Sequence, residues 1–126
     1  MKVLNIIECA YRATIEEQDD TIVWLSHAMK AAGADLAVLL RGNAVNYAVR
    51  DQNAAGLAFG AWRQTQPPRL AADIASLIAK GVAVYAMAED LAQRGLEMDD
   101  LVPGLEQVTR DNLPGLFAAH NQIWHW

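Results

Sequence analysis

Short runs of hydrophobic residues alternate along the chain with stretches in which apolar residues recur every three or four positions. Runs of this length, rich in β-branched and apolar side chains, are typical of strands buried inside a sheet. The runs lie at residues 2–9, 34–40, 82–87, 105–108 and 122–126. The chain therefore predicts strands that are separated by helices along its whole length.

The stretches between the runs have the spacing of amphipathic helices. After the first run, Ile22, Leu25 and Met29 recur at helical spacing, and Gly33 ends the predicted helix. We expect this helix to begin at a capping box formed by Thr14 and Glu17. Its first turns would then carry the carboxylates of Glu16, Glu17, Asp19 and Asp20. Further helices are predicted after Pro67-Pro68, at residues 88–94 and within residues 110–120.

Strands that alternate with helices form βαβ units, which build a parallel sheet covered by helices on both faces. A chain of 126 residues is long enough for one such domain and too short for two. We predict a single flavodoxin-like, three-layer α/β domain over residues 1–126, with a mostly parallel five-stranded sheet. The flavodoxin strand order, 2-1-3-4-5, would place the first and third strands side by side.

The segment 41–66 is too long for an ordinary connection inside a small domain, so it is expected to be functional, interfacial or partly helical. Its aromatic residues and those of the C-terminus are hard to bury in a domain of this size. They are Tyr47, Phe59, Trp62, Trp124 and Trp126. Because aromatic side chains are enriched at protein interfaces, we expect the chain to self-associate.

Charge and composition exclude several classes of function. The formal net charge is −5 and the basic residues are scattered, which disfavours nucleic-acid binding. No apolar stretch reaches the ~18 residues of a membrane span, and the N-terminus reads as a strand rather than a signal peptide. A single cysteine rules out an internal disulfide and fits a reducing compartment, so we expect the cytoplasm.

Motifs for cofactors, metals and hydrolysis are missing from the sequence. No glycine-rich phosphate loop follows the first strand, so no nucleotide or flavin cofactor is predicted. The three histidines, His27, His120 and His125, lie far apart and the lone cysteine has no partner, so no metal site is predicted. Ser26 and Ser76 fall inside predicted helices, away from any nucleophile elbow. His125, between two tryptophans, is interpreted as a capping residue on the terminal strand.

The carboxyl ends of neighbouring parallel strands share one crevice, where ligands of such sheets bind. With the first and third strands adjacent, that crevice would collect residues from three strand ends. They are Cys9, Tyr11 and Arg12 after the first strand, Arg41 and Asn43 after the second, and Met87 and Glu89 after the third.

Two interpretations of Cys9 remain open at this stage. An arginine such as Arg12 favours the reactive thiolate form of a neighbouring cysteine. Alternatively, Cys9 is a small buried hydrophobic residue and Arg12 pairs with the acids of the first helix. Glu89 can simply stabilise the N-terminus of the short helix that follows the third strand, and Met87 can line a pocket or an interface.

Two stretches carry a resemblance to a known family. They are "LLRGNAV" after the second strand and "VAVYAMAEDLAQRGL" with its Arg94-Gly95 ending. Over essentially its full length the chain resembles the DsrE/DsrF-like (DsrEFH) proteins, small α/β domains that assemble as trimers or hexamers. The resemblance implies a role in sulfur trafficking. Family members with that role carry, at the end of the third strand, a cysteine that accepts sulfur as a persulfide. Counting back from Arg94-Gly95 places this position at Met87 in the present chain.

Three hypotheses follow from this substitution. We favour a non-catalytic or binding member of an intracellular sulfur-trafficking or sulfur-oxidation system, with a sulfur-carrier protein as a partner. The alternative is a small-anion or partner-binding module unrelated to sulfur, which would use Arg12, Arg41, Asn43 and Met87. In the third, Cys9 on a strand next to the third strand accepts the sulfur instead, and the chain would be sulfurtransferase-like through that thiol.

Overall fold

A parallel sheet of five strands forms the middle layer of the computed structural model, which describes residues 1–12, 14, 19–52 and 55–126. Its strands are β1 (Lys2–Ile7), β2 (Asp35–Leu40), β5 (Ala83–Met87), β6 (Glu106–Val108) and β7 (Gln122–His125). The helices are α1 (Thr21–Ala31), α2 (Leu70–Ala79), α3 (Ala88–Gln93) and α4 (Leu113–Ala118). Two further strands, β3 (Ala58–Phe59) and β4 (Trp62–Arg63), pair in a separate hairpin. The predicted α/β class, with one mostly parallel five-stranded sheet, is confirmed.

The order of the strands differs from the flavodoxin order. The sheet runs β6-β5-β2-β1-β7, so the second strand along the chain lies between the first and the third. Ile7 of β1 pairs with Leu40 of β2, and Leu40 in turn pairs with Ala86 of β5. The prediction that the first and third strands are neighbours is therefore wrong.

Alternation of side chains along the strands builds two hydrophobic layers. Val3, Ile7, Val38 and Leu40 belong to a layer shared with α1 and α2, which also contains Leu91 of α3. Leu4, Ile6, Leu39 and Met87 belong to the opposite layer, against residues of α4. Right-handed crossovers explain this arrangement. The connections from β1 to β6 all run in one direction across the sheet, so their helices lie on one face. The connection from β6 to β7 runs in the opposite direction, so α4 lies on the other face.

Helix α1 begins later than the sequence predicts. The N-cap is Asp20, whose carboxylate accepts hydrogen bonds from the backbone N–H groups of Ile22 (2.8 Å) and Val23 (3.2 Å). The predicted start at Thr14 is therefore wrong, and no acidic residue lies in the first turn. Glu16 and Glu17, the other residues of that prediction, lie outside the described residues.

Part of segment 41–66 has regular structure. A 3-10 helix spans Gly42–Ala48, and the β3–β4 hairpin follows. Tyr47 is 0 % exposed, so its predicted place among surface aromatic residues is wrong. Phe59 and Trp62 do lie on the surface, where their rings stack with centroids 5.9 Å apart.

The later elements agree closely with the sequence pattern. Helix α2 buries Leu70, Ile74 and Leu77 and ends at Ala79. Gly81 follows the C-cap residue, and its positive φ of 80° suits a helix terminus. Across the part of the chain that the structure describes, every helix is too short or too polar to cross a membrane.

Candidate functional site

The direction of the crossovers reverses at β1. The first three connections move from β1 towards β6, and the last returns to place β7 on the other side of β1. In open α/β sheets, ligands bind outside the carboxyl ends of the strands at such a reversal. A cavity of about 620 Å³ lies here, which we call the β1/β7 pocket. Its walls are Glu8, Cys9, Ala10, Arg12, Asn43, His125 and Trp126.

Backbone hydrogen bonds hold the two strand ends together under this pocket. The N–H of Trp126 donates to the carbonyl of Ile6 (3.0 Å), and the N–H groups of Glu8 and Cys9 both donate to the carbonyl of Trp126 (3.0 and 3.1 Å). Cys9 follows the end of β1, and it is exposed. The interpretation of Cys9 as a buried hydrophobic residue is therefore wrong.

A carboxylate and an imidazole pair at the mouth of the pocket. Nε2 of His125 lies 2.6 Å from Oε2 of Glu8, and Nε of Arg41 lies 3.8 Å from Oε1 of the same carboxylate. Two positively charged or proton-donating groups thus offset the negative charge of Glu8. His125 is a partner of Glu8 and not the capping residue that the sequence predicts.

A buried carboxylate fixes the segment that carries Arg12. Asp20 is 0 % exposed, and it accepts hydrogen bonds from the hydroxyl of Tyr47 (2.6 Å) and the backbone N–H of Arg12 (3.3 Å) in addition to its capping bonds. The backbone N–H of Tyr11 donates to the same hydroxyl. Burial, followed by the hydrogen bond to Asp20, raises the pKa of Tyr47 far above its ordinary value, so the hydroxyl keeps its proton.

Among the described residues, Arg12 contacts the start of α1 through its backbone. Its link to Asp20 is made by the backbone N–H, and its guanidinium forms no ion pair with the acids that the structure describes. The side chain borders the β1/β7 pocket instead. Arg12 is therefore placed to bind an anion there.

The two sequence stretches that carried the family resemblance meet at the edge of this pocket. The N–H of Gly42 donates to the carboxylate of Asp90 (2.7 Å), and Arg94 donates to the side-chain oxygen of Asn43 (2.8 Å) and to the carbonyl of Asp90 (3.0 Å). Helix α3 thereby fixes the turn after β2, and with it the position of Asn43 in the pocket wall.

Three of the residues predicted for the site lie elsewhere. Met87 is 3 % exposed and packs in the layer under α4, because β2 separates β5 from β1. Glu89 accepts a hydrogen bond from the backbone N–H of Arg110 (2.8 Å), which lowers the pKa of its carboxyl. Tyr11 faces a separate cavity of about 500 Å³ beside the start of α2.

The structure thus brings Cys9, Arg12 and Asn43 together and places Arg41 at the rim through its contact with Glu8. Sequence reasoning missed Glu8, His125 and Trp126. These residues are recognised only when β7 is known to pair with β1, which no local pattern indicates. Nowhere in the described ranges do three or more His, Cys, Asp or Glu side chains form a group that could hold a metal ion.

Fold and pocket together define a small, three-layer, parallel α/β protein with an open cavity where its strand order reverses. The structure is similar to the crystal structure of the ychN protein from E. coli, with a TM-score of 0.75 and 18 % identity over 99 % of this chain and 98 % of that chain. It is also similar to MTH1491 from Methanobacterium thermoautotrophicum, a protein of unknown function, with a TM-score of 0.67 and 16 % identity over 98 % and 97 % of the two chains. At these identities the likeness establishes the fold alone. No protein-family model matches the chain, and no curated protein matches it in sequence.

Proposed function

We propose that this chain is a DsrE/F-like protein of an intracellular sulfur-trafficking or sulfur-oxidation system, and that it binds a small sulfur-bearing anion in the β1/β7 pocket without transferring sulfur. The observation that carries this proposal is the place of Met87. The resemblance puts the family's sulfur-accepting cysteine at this position, but here the side chain is a thioether buried in the core. A thioether has no ionisable proton and cannot become the thiolate that accepts sulfur.

The polar groups of the pocket favour an anion. The guanidinium of Arg12 and the amide of Asn43 are donors in its wall, and Arg41 and His125 offset the carboxylate of Glu8. Arginine binds oxyanions through paired, charge-assisted hydrogen bonds. A cavity of about 620 Å³ has room for an anion such as thiosulfate or for the sulfur-bearing side chain of a carrier protein.

Calorimetric titration with thiosulfate tests this proposal. We expect a dissociation constant of about 1 mM or tighter for the wild type, and at least about a tenfold loss in Arg12→Ala. Arg63→Ala is the matched control, because it removes the same charge from the exposed strand β4 and should leave binding unchanged. Equal affinity for acetate would support the small-anion module unrelated to sulfur. Equal weakening by both arginine variants would contradict a specific pocket.

A second candidate function is that of a sulfur acceptor at Cys9, and the exposure of this thiol in the pocket favours it. The neighbouring-strand argument for it does not hold, since β2 separates β1 from β5. Intact mass spectrometry after incubation with a persulfide donor tests it. A gain of one sulfur atom that is absent in Cys9→Ser would support covalent capture, and no gain in the wild type would exclude it.

A further inference from the structure

The β1/β7 pocket combines the only thiol of the chain with an imidazole that a carboxylate holds in place. Cys9 is the single cysteine of the sequence. It borders the same cavity as His125 and Glu8. A nucleophile, a base and a group that orients the base are the three parts of an activated-nucleophile site.

The hydrogen bond between Glu8 and His125 sets the role of each ring nitrogen. Because Nε2 lies 2.6 Å from the carboxylate, it is the nitrogen that carries the proton. In the neutral ring the lone pair is then on Nδ1, which can accept a proton from a thiol. Arg41 also contacts Glu8, at 3.8 Å, so the carboxylate is held from two sides.

The surroundings of Cys9 select for negative charge in its reaction partner. Arg12 lies in the wall of the cavity with Cys9, and Asn43 adds amide donors. Glu8 is the opposing charge, and it is engaged by His125 and Arg41. A partner with a carboxylate next to its reactive sulfur therefore fits this cavity better than a neutral or cationic one.

We propose that Cys9 is a site of reversible S-thiolation by small disulfides that carry a carboxylate, with His125 as proton acceptor, Arg12 as the carboxylate-binding group and Glu8 as the residue that positions His125. The attached group would fill the β1/β7 pocket. S-thiolation would thereby block the anion binding of the proposed function, and this last consequence rests on that function.

The reaction is a thiol–disulfide exchange. The proton of the Cys9 thiol passes to Nδ1 of His125, and the thiolate attacks one sulfur of the small disulfide. A bond forms between Cys9 Sγ and that sulfur, and the disulfide bond of the partner breaks. The departing thiolate takes the proton back from His125. Cys9 is oxidised and the departing sulfur is reduced, so no further oxidant is needed.

Reaction rates with two chromogenic disulfides test the proposal on the whole chain. Dithiobis(nitrobenzoate) carries two carboxylates, whereas dithiodipyridine carries none. The same protein unfolded in urea is the reference, since it presents Cys9 without a pocket. In each state, the preference is the rate with the anionic reagent divided by the rate with the neutral one. We expect this ratio to be about tenfold higher for the folded protein than for the unfolded chain, which is equivalent to about 1.4 kcal/mol. Equal preference in the two states would overturn the proposal.

Variants separate the roles of the individual residues. Arg12→Ala should abolish most of the preference for the anionic reagent, and Arg63→Ala should keep it. His125→Gln should slow both reagents, and added imidazole should restore part of the lost rate, because it supplies the missing base. Glu8→Gln should slow both reagents less than His125→Gln does. An unchanged rate in His125→Gln would remove His125 from the mechanism.

Thiosulfate titration before and after thiolation separates this inference from the proposed function. If the wild type binds thiosulfate and the thiolated protein does not, both stand. Binding that persists after thiolation would overturn the blocking effect while the proposed function stands. Selective thiolation in a protein that never binds thiosulfate would support the modification site and contradict the proposed function.

Discussion

Asp20 shows how one buried carboxylate organises the loop that leads to the pocket. Its two oxygens serve the first turn of α1, the hydroxyl of Tyr47 and the backbone of Arg12. A buried carboxylate is tolerated only when its lone pairs are satisfied in this way. The position of Arg12 in the pocket therefore depends on Tyr47, which lies in a different segment of the chain.

Tyr47→Phe tests this dependence. The substitution keeps the ring but removes the hydroxyl. The N–H of Tyr11 then loses its acceptor, and the buried Oδ2 of Asp20 keeps only its longer hydrogen bond from the N–H of Arg12. We expect a loss of about 1–3 kcal/mol in the free energy of unfolding, measured by urea denaturation. Tyr85→Phe, at a half-buried tyrosine on the opposite layer, should change it by less than about 0.5 kcal/mol. Equal effects of the two variants would contradict the special role of Tyr47.

Asp73 gives a prediction about pH. Burial, followed by its hydrogen bond with Asp19, raises the pKa of Asp73 to about 7. The unfolded chain would release this proton near pH ~3.9, so between these values only the folded protein holds it. The stability that protonated Asp73 contributes to the folded state is therefore present at low pH and is lost as the pH rises towards 7. Asp73→Asn should therefore raise the thermal midpoint relative to the wild type at pH 8 and not near pH 3.5.

The control for this prediction is Asp111→Asn, at an exposed carboxylate in the 3-10 turn before α4. It should not reproduce the pH-dependent difference. A thermal midpoint that follows the same pH dependence in Asp73→Asn and in the wild type would show that Asp73 is an ordinary surface carboxylate.

At the scale of elements, the turn before β6 packs tightly on α2. Gly104 has a φ of 95°, and a Cβ added there would lie 2.9 Å from Cγ2 of Ile78. Gly104→Ala should therefore destabilise the protein by about 1–3 kcal/mol in urea denaturation, through backbone strain and overpacking.

Gly115→Ala is the matched substitution within α4, where an added Cβ meets no atom within 4 Å. Alanine is the better helix former, so this variant should be more stable than the wild type by up to about 1 kcal/mol. If Gly104→Ala were as well tolerated as Gly115→Ala, this result would contradict the close packing of the turn on α2.

Periodicity predicted most elements, because the central strands are continuous apolar runs and α2 has one apolar face. The start of α1 was not predictable in the same way. Thr14 and Glu17 have the spacing of a capping box, but the true cap is Asp20, whose capping role also depends on Tyr47. A rule based on local spacing cannot predict this contact between residues that are distant in the sequence.

At the scale of the whole molecule, strand order decides which residues meet. The three central strands have nearly the same apolar pattern, so the sequence does not distinguish β2 from β5 as the neighbour of β1. Cys9, Arg12 and Asn43 were predicted in one site because all three follow β1 or β2. Met87 and Glu89 were misplaced because the predicted order was wrong. His125 was missed because its partner Glu8 lies 117 residues away along the chain.

Self-association stays a prediction, and the hairpin offers the surface for it. Phe59 and Trp62 are 63 % and 45 % exposed and stack on each other. If copies of the chain associate through this hairpin, the Phe59→Ser variant should have a lower sedimentation coefficient than the wild type. A decrease in Trp24→Ser but not in Phe59→Ser would place the contact on α1 instead.

The central claim is that the functional site lies at the ends of β1 and β7 and not at the end of β5. Amide chemical shifts followed by NMR during a thiosulfate titration test it most directly. The account predicts that the saturating shifts cluster at Cys9, Arg12, Asn43 and His125. Shifts that cluster around Met87, Glu89 and Arg110 instead, or an absence of any saturating shift, would contradict it.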